Sequence, residues 1–360
     1  MGKILVAAAA GKVGLRVAQR LAAQHSPLRL LVRHAPQAPT LAGATAEVVA
    51  GDFDAPGQMA QAFRGIDAAF MYAPQAAASQ EVFRAARAAG VRRIVLLSSA
   101  SVTKAPPGAN PIAERHRAAE RAVQAAGLEW AFIRPDTMAS NCLQWAADIR
   151  EQGCIYTAHP DSLRNPVHED DLALLAERAL LSGELAGEAF YATGPEVLSI
   201  RDQVQTIATL SGREVRCVEL TEAQALARML AANPSMEPAA AQRLLDYLRK
   251  SLTVRPPVSA DLRSATNVMP RSFADWVHDN LEAFMPPARN ESARTAPAVA
   301  PPPLKKEFPD ESLSTPWFQR PGACSILHLR PIERPVIRPR RHHDVPQKTR
   351  RPARQQPGGR

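Results

Sequence analysis

Short hydrophobic runs alternate with alanine-rich stretches through residues 1–135 of the chain. The hydrophobic runs predict β-strands at residues 3–8, 28–33, 46–50, 68–72, 93–98 and 130–134. The apolar spacing between them predicts helices at residues 13–23, 56–63, 79–89 and 111–126. Hydrophobic strands separated by helices are typical of a parallel sheet covered on both faces. The pattern therefore predicts an α/β fold with a doubly wound parallel sheet.

After Pro135 the pattern becomes mixed. Helices are predicted at residues 140–152, 169–181, 200–210, 222–230, 237–252 and 272–284, with strands near Cys154 and at residues 188–192. Such a mixture predicts a smaller mixed α/β lobe that closes one side of a cleft. The chain therefore divides into a doubly wound domain at residues 1–153, a smaller lobe packed on it at residues 154–287, and a tail at residues 288–360.

The tail differs from the body in composition and charge. Prolines recur every few residues, and such a segment cannot bury enough apolar surface to offset the entropy of ordering, so disorder is predicted. The chain has a net charge of +9, and residues 288–360 contain 15 basic and 6 acidic residues, which leaves 29 of each in residues 1–287. Weak contact with nucleic acid is conceivable only through this tail, and aromatic residues that could stack on bases are nearly absent after Phe318.

Several classes of protein are excluded by what the chain lacks. The four cysteines are far apart and form no Cys-x-x-Cys or Cys/His pair at metal-ligand spacing, which predicts a reducing cytoplasm and no metal. No stretch approaches the ~20 apolar residues of a membrane span. The apolar run at the amino terminus is broken by Gly11 and Lys12, which favours a first strand over a signal peptide.

A glycine-containing turn follows the first predicted strand directly. Residues 7–14 read Ala-Ala-Ala-Ala-Gly-Lys-Val-Gly and lead straight into a helix. Glycines at such a turn let backbone N–H groups and the positive end of the helix approach a pyrophosphate. The alternative is a packing turn that binds no ligand.

These residues resemble the NmrA-like branch of the atypical short-chain dehydrogenase/reductases, whose first turn reads Thr-Gly-Ala-Thr-Gly-x-Val-Gly. Gly11, Val13 and Gly14 match that motif, whereas Ala7, Ala8 and Ala10 replace Thr, Gly and Thr. Further similarities run through most of residues 3–285. The resemblance implies a Rossmann-type fold and a nicotinamide dinucleotide cofactor. A methyl group at Ala8 would crowd the turn if the backbone there required a positive φ.

The resemblance also implies which residues bind the cofactor. Arg33 follows the second strand, where an arginine in place of an acidic residue accommodates the 2'-phosphate of NADP, so NADPH is expected to be preferred over NADH. The alternative is an exposed arginine at a strand end. The complete cofactor set is Ala8, Ala10, Gly11, Lys12, Val13, Gly14, Arg33, Asp52, Phe53, Ala73 and Ser98.

The catalytic residues are less evident, because no tyrosine is followed four residues later by lysine. His116 stands where relatives similar to isoflavone reductase have lysine, and an imidazole near its ordinary pKa of ~6.5 could donate a proton at neutral pH. An exposed helix histidine without a catalytic role is the alternative. Tyr72, Asn141 and Trp145 are candidates to line the acceptor site. Residues 166–173 resemble a structural joint of the family, in which Asp171 would cap or brace a helix.

Together these features predict an NAD(P)H-dependent oxidoreductase that transfers hydride to a small quinone-, enone- or iminium-like acceptor. Such acceptors need less proton assistance than a ketone does, which suits the missing Tyr-x-x-x-Lys pair. A non-catalytic NADP-sensing regulatory protein that binds a protein partner is the alternative, since one fold can serve both purposes. The expected partner is a small molecule rather than a membrane, and the expected assembly is a monomer or homodimer.

Overall fold

A computed structural model describes residues 2–37, 40 and 46–286 of the chain. Its strands are, in chain order, β1 (Lys3–Ala7), β2 (Leu28–Val32), β3 (Ala46–Ala50), β4 (Ile66–Tyr72), β5 (Arg93–Leu97), β6 (Glu129–Pro135), β7 (Thr137–Met138), β8 (Cys154–Thr157), β9 (Leu163–Arg164), β10 (Pro166–Val167), β11 (Glu188–Ala192), β12 (Leu198–Ser199) and β13 (Arg216–Glu219). Its α-helices are α1 (Lys12–Ala23), α2 (Pro56–Ala62), α3 (Ala76–Ala88), α4 (Ser101–Lys104), α5 (Pro111–Ala125), α6 (Ala146–Gln152), α7 (Glu169–Leu181), α8 (Ile200–Ser211), α9 (Glu222–Ala232), α10 (Pro238–Lys250), α11 (Asp261–Thr266) and α12 (Phe273–Asp279). Short 3₁₀ helices form at Ala35–Gln37, Ala139–Trp145 and Leu281–Phe284.

Seven of these strands form one parallel sheet in the order β11-β6-β5-β4-β1-β2-β3. The chain builds outward from β1 through β2 and β3 on one side, then returns to β4 on the other side. The strand order thus reverses between β1 and β4, which is where sheets of this kind bind their ligands. The predicted doubly wound, Rossmann-type fold is confirmed.

Hydrophobic side chains cover both faces of this sheet, since successive residues of a strand point to opposite faces. On one face α1 packs against α7 over Val6, Leu30 and Val95. On the other face α2, α3 and α5 pack over Leu5, Leu31 and Leu96. Burial on both sides explains why the strands read as continuous apolar runs in the sequence.

The chain beyond β6 contributes to the large sheet and also builds a third hydrophobic cluster. Strand β11 pairs with β6, and α7 covers the same sheet face as α1. Three two-stranded pairings, β7 with β10, β9 with β12 and β8 with β13, accompany helices α8–α10 and α12 around Trp276 and Phe273. All described residues belong to one compact unit, and the predicted boundary between residues 153 and 154 stays a prediction.

Local sequence signals explain several helix starts in this part of the chain. Ser199, Thr221 and Ser272 each form a capping box, in which the hydroxyl accepts from a backbone N–H three residues on and that residue's side chain reaches back. Helix α7 begins differently, because the His168 side chain accepts from the Asp170 N–H. Asp171 braces the helix by accepting from the Arg271 N–H at 2.7 Å, so the expected brace is present but the cap is His168.

Two predicted helices each form two elements, and residues 272–284 form α12 followed by the 3₁₀ helix Leu281–Phe284. Residues 140–152, predicted as one helix, form a 3₁₀ helix at Ala139–Trp145 followed by α6. The predicted disordered tail at residues 288–360 lies outside the described residues. Within the described residues, no helix is long and apolar enough to cross a membrane.

Candidate functional site

The sequence-predicted site residues gather at the carboxyl edge of the large sheet. The turn before α1 follows β1, Arg33 follows β2, Asp52 and Phe53 follow β3, Tyr72 ends β4, and Ser98 follows β5. Because all seven strands run parallel, their carboxyl ends meet at this one edge. Their meeting is therefore a consequence of the topology.

The turn between β1 and α1 explains both glycines of the motif. A Cβ added at Gly14 would lie 2.3 Å from the Ala8 carbonyl oxygen, and one at Gly11 would lie 3.0 Å from the same atom. Only glycine permits this close approach of helix to strand. Ala8 itself adopts a φ of +48°, in the left-handed region that favours glycine. The positive φ that would make a methyl group at Ala8 unfavourable is therefore present.

The amino end of α1 favours the binding of a negatively charged group. Its N-cap, Gly11, provides no side-chain hydrogen bond, and its first turn contains no acidic residue. No acidic side chain in the first turn of α1 therefore offsets the positive end of the helix dipole. A pyrophosphate suits such a helix terminus, because its negative charge meets the positive end of the helix dipole.

Tyr72 contacts this same turn. Its hydroxyl accepts a hydrogen bond from the Gly14 N–H at 3.2 Å, and its ring stacks on Phe53 with 6.3 Å between centroids. Burial raises the pKa of the phenol above its ordinary value. The Tyr72 hydroxyl therefore contacts the turn at residues 8–14, called the dinucleotide turn below, and the assignment of Tyr72 to the acceptor site stays a prediction.

Lys12 joins the turn to the segment that follows β7. Its ammonium group donates to the Ser140 carbonyl oxygen at 3.0 Å, across 128 residues of sequence. Ser140 lies in the 3₁₀ helix Ala139–Trp145, which also contains Asn141 and Trp145. Asn141 is exposed, whereas Trp145 is partly buried against the third hydrophobic cluster. Lys12 therefore ties the dinucleotide turn to the predicted acceptor segment.

Arg33 and Asp52 lie at the β2–β3 side of the edge. Arg33 is exposed and forms no hydrogen bond or ion pair with any described residue, so its guanidinium is free to meet an anion. Asp52 accepts from the Asp54 N–H at 2.9 Å, and Asp54 accepts from the Gln75 N–H at 2.6 Å. These bonds fix the loop after β3 against the end of β4. An exposed arginine beside an ordered acidic loop suits recognition of the adenosine part of a dinucleotide.

Ser98 and Ala73 contribute their polar atoms to the framework instead of the cleft. The Ser98 hydroxyl donates to Glu120 at 2.6 Å, and Arg134 holds the same carboxylate through two hydrogen bonds. The Ala73 carbonyl accepts two hydrogen bonds from Arg115. The Ser98 hydroxyl thus donates to a buried carboxylate, and the assignment of Ser98 to the cofactor site stays a prediction.

His116 lies one helical turn before Glu120, on the same face of α5. Glu120 contacts Ser98 just beyond β5, so His116 is about 6 Å further along the helix, past the carboxyl edge. Its Nδ1 is buried and has no hydrogen-bond partner among the described residues. Burial, with a smaller effect of the neighbouring Arg115 charge, lowers the pKa of the imidazole to about 4. The prediction of a pKa near 6.5 is wrong, and His116 is neutral at pH 7.

A cluster of Lys104, Asp136 and Tyr191 was not anticipated from the sequence. Asp136, just after β6, accepts from the Tyr191 hydroxyl at 2.8 Å and pairs with the Lys104 ammonium at 2.6 Å. The ammonium lies 5.3 Å from the centroid of the Tyr191 ring. Burial, with the negative charge of Asp136, raises the pKa of Tyr191 to about 12. A tyrosine and a lysine therefore meet near this edge without the Tyr-x-x-x-Lys spacing, and no local signal could have joined residues 104 and 191.

Comparison with known proteins adds to this geometry. A model of the NAD(P)H-binding family matches residues 8–178. Over 286 residues the chain is 35% identical to the (4-alkanoyl-5-oxo-2,5-dihydrofuran-3-yl)methyl phosphate reductase of Streptomyces griseus, covering 79% of this chain and 99% of that protein. It is 28% identical over 290 residues to an NAD(P)H azoreductase of Xenophilus azovorans, covering 78% of this chain and 99% of the azoreductase.

Solved structures share the fold. The Citrobacter sp. triphenylmethane reductase, in its complex with NADP(H), aligns with a TM-score of 0.65 at 22% identity and covers 78% of this chain and 99% of that one. The turn before α1, the strand reversal and the near full-length match to a reductase 35% identical agree with one another. The chain belongs to the NAD(P)H-binding family.

Proposed function

We propose that the protein is an NADPH-dependent reductase of a small, conjugated, electron-poor acceptor such as a quinone, an enone or an iminium ion. The observation that carries this proposal is the amino end of α1, whose N-cap is a glycine and whose first turn has no acidic residue, beside two close-packed glycines at the point of strand reversal. The relatives add support, because one is named as a reductase of an unsaturated ring and another as an azoreductase. Their names favour catalysis over the alternative of a non-catalytic sensor.

The preference for NADPH rests on Arg33. Its exposed guanidinium has no partner among the described residues and follows β2, the strand whose end faces the ribose in this fold. A guanidinium can hold a 2'-phosphate by charge and by paired planar donors. Membership of the NAD(P)H-binding family does not distinguish NADPH from NADH.

The chain's own residues would bind, orient and exclude water. Gly11, Gly14 and the α1 terminus hold the pyrophosphate, and Lys12 fixes the acceptor segment over that turn. NADPH, when bound, supplies the hydride. Since His116 is neutral, it would contribute a hydrogen bond from the imidazole to the developing negative charge, in place of a proton from an imidazolium. Its other nitrogen, Nε2, keeps some contact with solvent, so a ligand can reach it.

A protein that binds and orients but offers no strong proton donor suits acceptors whose reduced form can be protonated by water. A ketone requires a strong proton donor as hydride arrives, whereas a quinone or an iminium ion does not. The high pKa of Tyr191 and the neutrality of His116 leave both as weak acids at pH 7. Electron-poor conjugated acceptors are therefore preferred in the proposal.

The test is NADPH oxidation, followed by its absorbance, with a naphthoquinone, an enone and a ketone as acceptors. We expect turnover of the first two and little of the ketone. Arg33→Ala should weaken NADPH binding by about 1.5–3 kcal/mol and leave NADH binding nearly unchanged, because only NADPH carries the 2'-phosphate.

Arg201→Ala is a matched control for Arg33→Ala, since Arg201 is also exposed but pairs with Asp161 beside β9 and β12, and not at the end of β2. It should change neither affinity. Equal weakening of both cofactors by Arg33→Ala would contradict the assigned role of Arg33. Tight NADPH binding with no turnover of any acceptor would overturn the reductase proposal itself.

A further inference from the structure

Arg164 is a buried cation without an anionic partner. Three arginines are buried among the described residues: Arg29, Arg93 and Arg164. Arg29 pairs with Glu47, and Arg93 pairs with Glu129. Arg164 is only 8% exposed, yet its guanidinium makes no hydrogen bond and no ion pair with any described residue. A guanidinium stays charged at all relevant pH, so burial without a partner is costly.

The guanidinium is nevertheless reachable. The Nε of Arg29 is fully buried and has no hydrogen-bond partner among the described residues. No nitrogen of Arg164 is shielded from solvent in this way. The nitrogens of Arg164 therefore keep some contact with solvent, from which a ligand can approach them. Five N–H groups in one rigid plane are available there, a geometry that matches the oxygens of a carboxylate, a sulfonate or a phosphate.

Tyr247 supports and complements this arginine. The guanidinium carbon lies 4.6 Å from the centroid of the Tyr247 ring, a cation–π contact that holds the plane of the guanidinium in place. The Tyr247 hydroxyl likewise makes no hydrogen bond within the part of the chain that the structure describes. Two side chains from β9 and α10 thus offer donors to the same neighbourhood.

The topology brings Arg164 to the acceptor side of the site. Arg164 ends β9, and the next strand, β10, pairs with β7, which directly continues the carboxyl end of β6. The 3₁₀ helix Ala139–Trp145 follows β7 and contains Cys142. Burial raises the pKa of the Cys142 thiol, while the charges of both Arg164 and Lys12 oppose that increase. Arg164 and Lys12 therefore lie near the same short helix, with Lys12 on its dinucleotide side.

We propose that Arg164 and Tyr247 form a subsite for an oxyanion carried by the acceptor, such as a carboxylate, a sulfonate or a phosphate monoester. The proposal rests on the reductase function above and defines its substrate class as anionic. The oxyanion accepts from the guanidinium and the phenol while the unsaturated carbons face the cofactor. An acceptor without the anion leaves the cation unpaired, which makes the site selective against it.

The experiment uses the full chain with NADPH and two acceptors that differ only in charge, a naphthoquinone and its sulfonated counterpart. Arg164→Gln should raise the KM of the sulfonated acceptor about 10-fold or more and change the KM of the neutral one by less than about twofold. Arg164→Lys should lose part of the effect, because it keeps the charge but loses the planar donors. Arg201→Gln removes the same charge from an exposed pair and should leave both KM values unchanged.

Three readouts distinguish an oxyanion subsite from a structural or a cofactor-binding role of Arg164. Thermal unfolding of Arg164→Gln should stay near that of the wild type. If Arg164→Gln does not fold, Tyr247→Phe tests the same subsite, and a smaller rise in KM confined to the sulfonated acceptor is expected. An equal rise in KM for both acceptors would overturn the subsite. A loss of NADPH affinity in Arg164→Gln would also overturn it, by assigning the arginine to the cofactor.

Direct binding tests the subsite even if no acceptor is turned over. Calorimetric titration of phenyl phosphate into the protein, with NADP⁺ present to occupy the dinucleotide site, should give a signal that Arg164→Gln abolishes and Arg201→Gln retains. Absence of turnover together with this result would contradict only the reductase function. Identical titrations of wild type and Arg164→Gln would contradict the subsite.

Discussion

The amino and carboxyl edges of the large sheet treat their charged side chains in opposite ways. At the amino edge, Arg93 pairs with Glu129 and also donates to the carbonyl oxygens of Ala179, Leu180 and Ser182. Past the carboxyl edge, Nδ1 of His116 has no hydrogen-bond partner, and Arg164, two residues before the strand β10 that pairs with β7, has no anionic partner, among the described residues. Left-handed backbone does not distinguish the edges, because Ala8 adopts it at the carboxyl edge and His25 adopts it at the amino edge.

This contrast separates stability from function. Buried polar groups in a framework are normally paired, because an unpaired group loses its hydration without compensation. Arg93 fits that rule, since it joins β5 to the last turn of α7. Buried charges and imidazoles without a partner are instead expected where a ligand is to pair with them. The carboxyl edge therefore has the character of a binding site, whereas the amino edge has the character of a scaffold.

The largest expected effect is on the amino edge. Arg93→Met should lower the free energy of unfolding by about 3–5 kcal/mol, because it leaves three carbonyl oxygens at the end of α7 without their donor. Urea unfolding followed by circular dichroism measures this. Cofactor affinity of the folded fraction should be unchanged.

Arg164→Met is the matched change at the carboxyl edge. Because no described residue pairs with Arg164, its replacement by an apolar side chain of similar length should leave the free energy of unfolding within about 1 kcal/mol of the wild type. Equal destabilisation by the two substitutions would refute the contrast between the edges.

The second effect concerns acid stability and His116. Its pKa is about 4 in the folded protein, below the ordinary 6.5, so the unfolded chain takes up the proton first as the pH falls. Folding stability is therefore lost between about pH 6.5 and pH 4, by up to about 3 kcal/mol from this group. His116→Gln should remove that part of the decline in urea titrations across this pH range.

His278 supplies the control, because its side chain is 80% exposed. His278→Gln should leave the pH dependence as it is in the wild type. If His116→Gln also left the curve unchanged, the imidazole would not be desolvated, and its proposed role as a neutral hydrogen-bond donor would lose its basis.

The smallest effect concerns the backbone at Ala8. Ala8→Gly removes the penalty of a left-handed alanine and should raise the free energy of unfolding by up to about 1 kcal/mol, with NADPH affinity equal to or a few-fold above the wild type. Ala8→Val should do the opposite, because a β-branched side chain tolerates this conformation poorly. Destabilisation by glycine would show that the methyl group of Ala8 is a packing requirement.

Much of the fold could be predicted from local pattern. The six strands anticipated within residues 1–135 all form, with ends within one or two residues, because both faces of the sheet are covered and each strand is therefore continuously apolar. Short elements such as α4, β9 and β13 were missed, since two to four residues give no measurable periodicity. The split of residues 140–152 was missed too, because a 3₁₀ and an α-helix have nearly the same apolar spacing.

The site was predictable only in part. Gly11, Gly14 and Arg33 were recognisable because each follows a strand at a position that the fold uses for a dinucleotide. The hydroxyl partners of Tyr72 and Ser98 could not be predicted, since a strand end fixes where a residue lies but not which neighbour its hydroxyl meets.

The sequence by itself determined the doubly wound sheet, the dinucleotide turn and the candidate NADPH arginine, because these depend on periodicity and on residues close together in the chain. Only the tertiary structure decided that His116 is desolvated, that Lys104 meets Tyr191, and that Arg164 lacks an anionic partner among the described residues. Burial and pairing depend on neighbours that lie tens of residues away along the chain. Hydropathy patterns contain no information on those pairings, and the charges that define the site's chemistry are set by them.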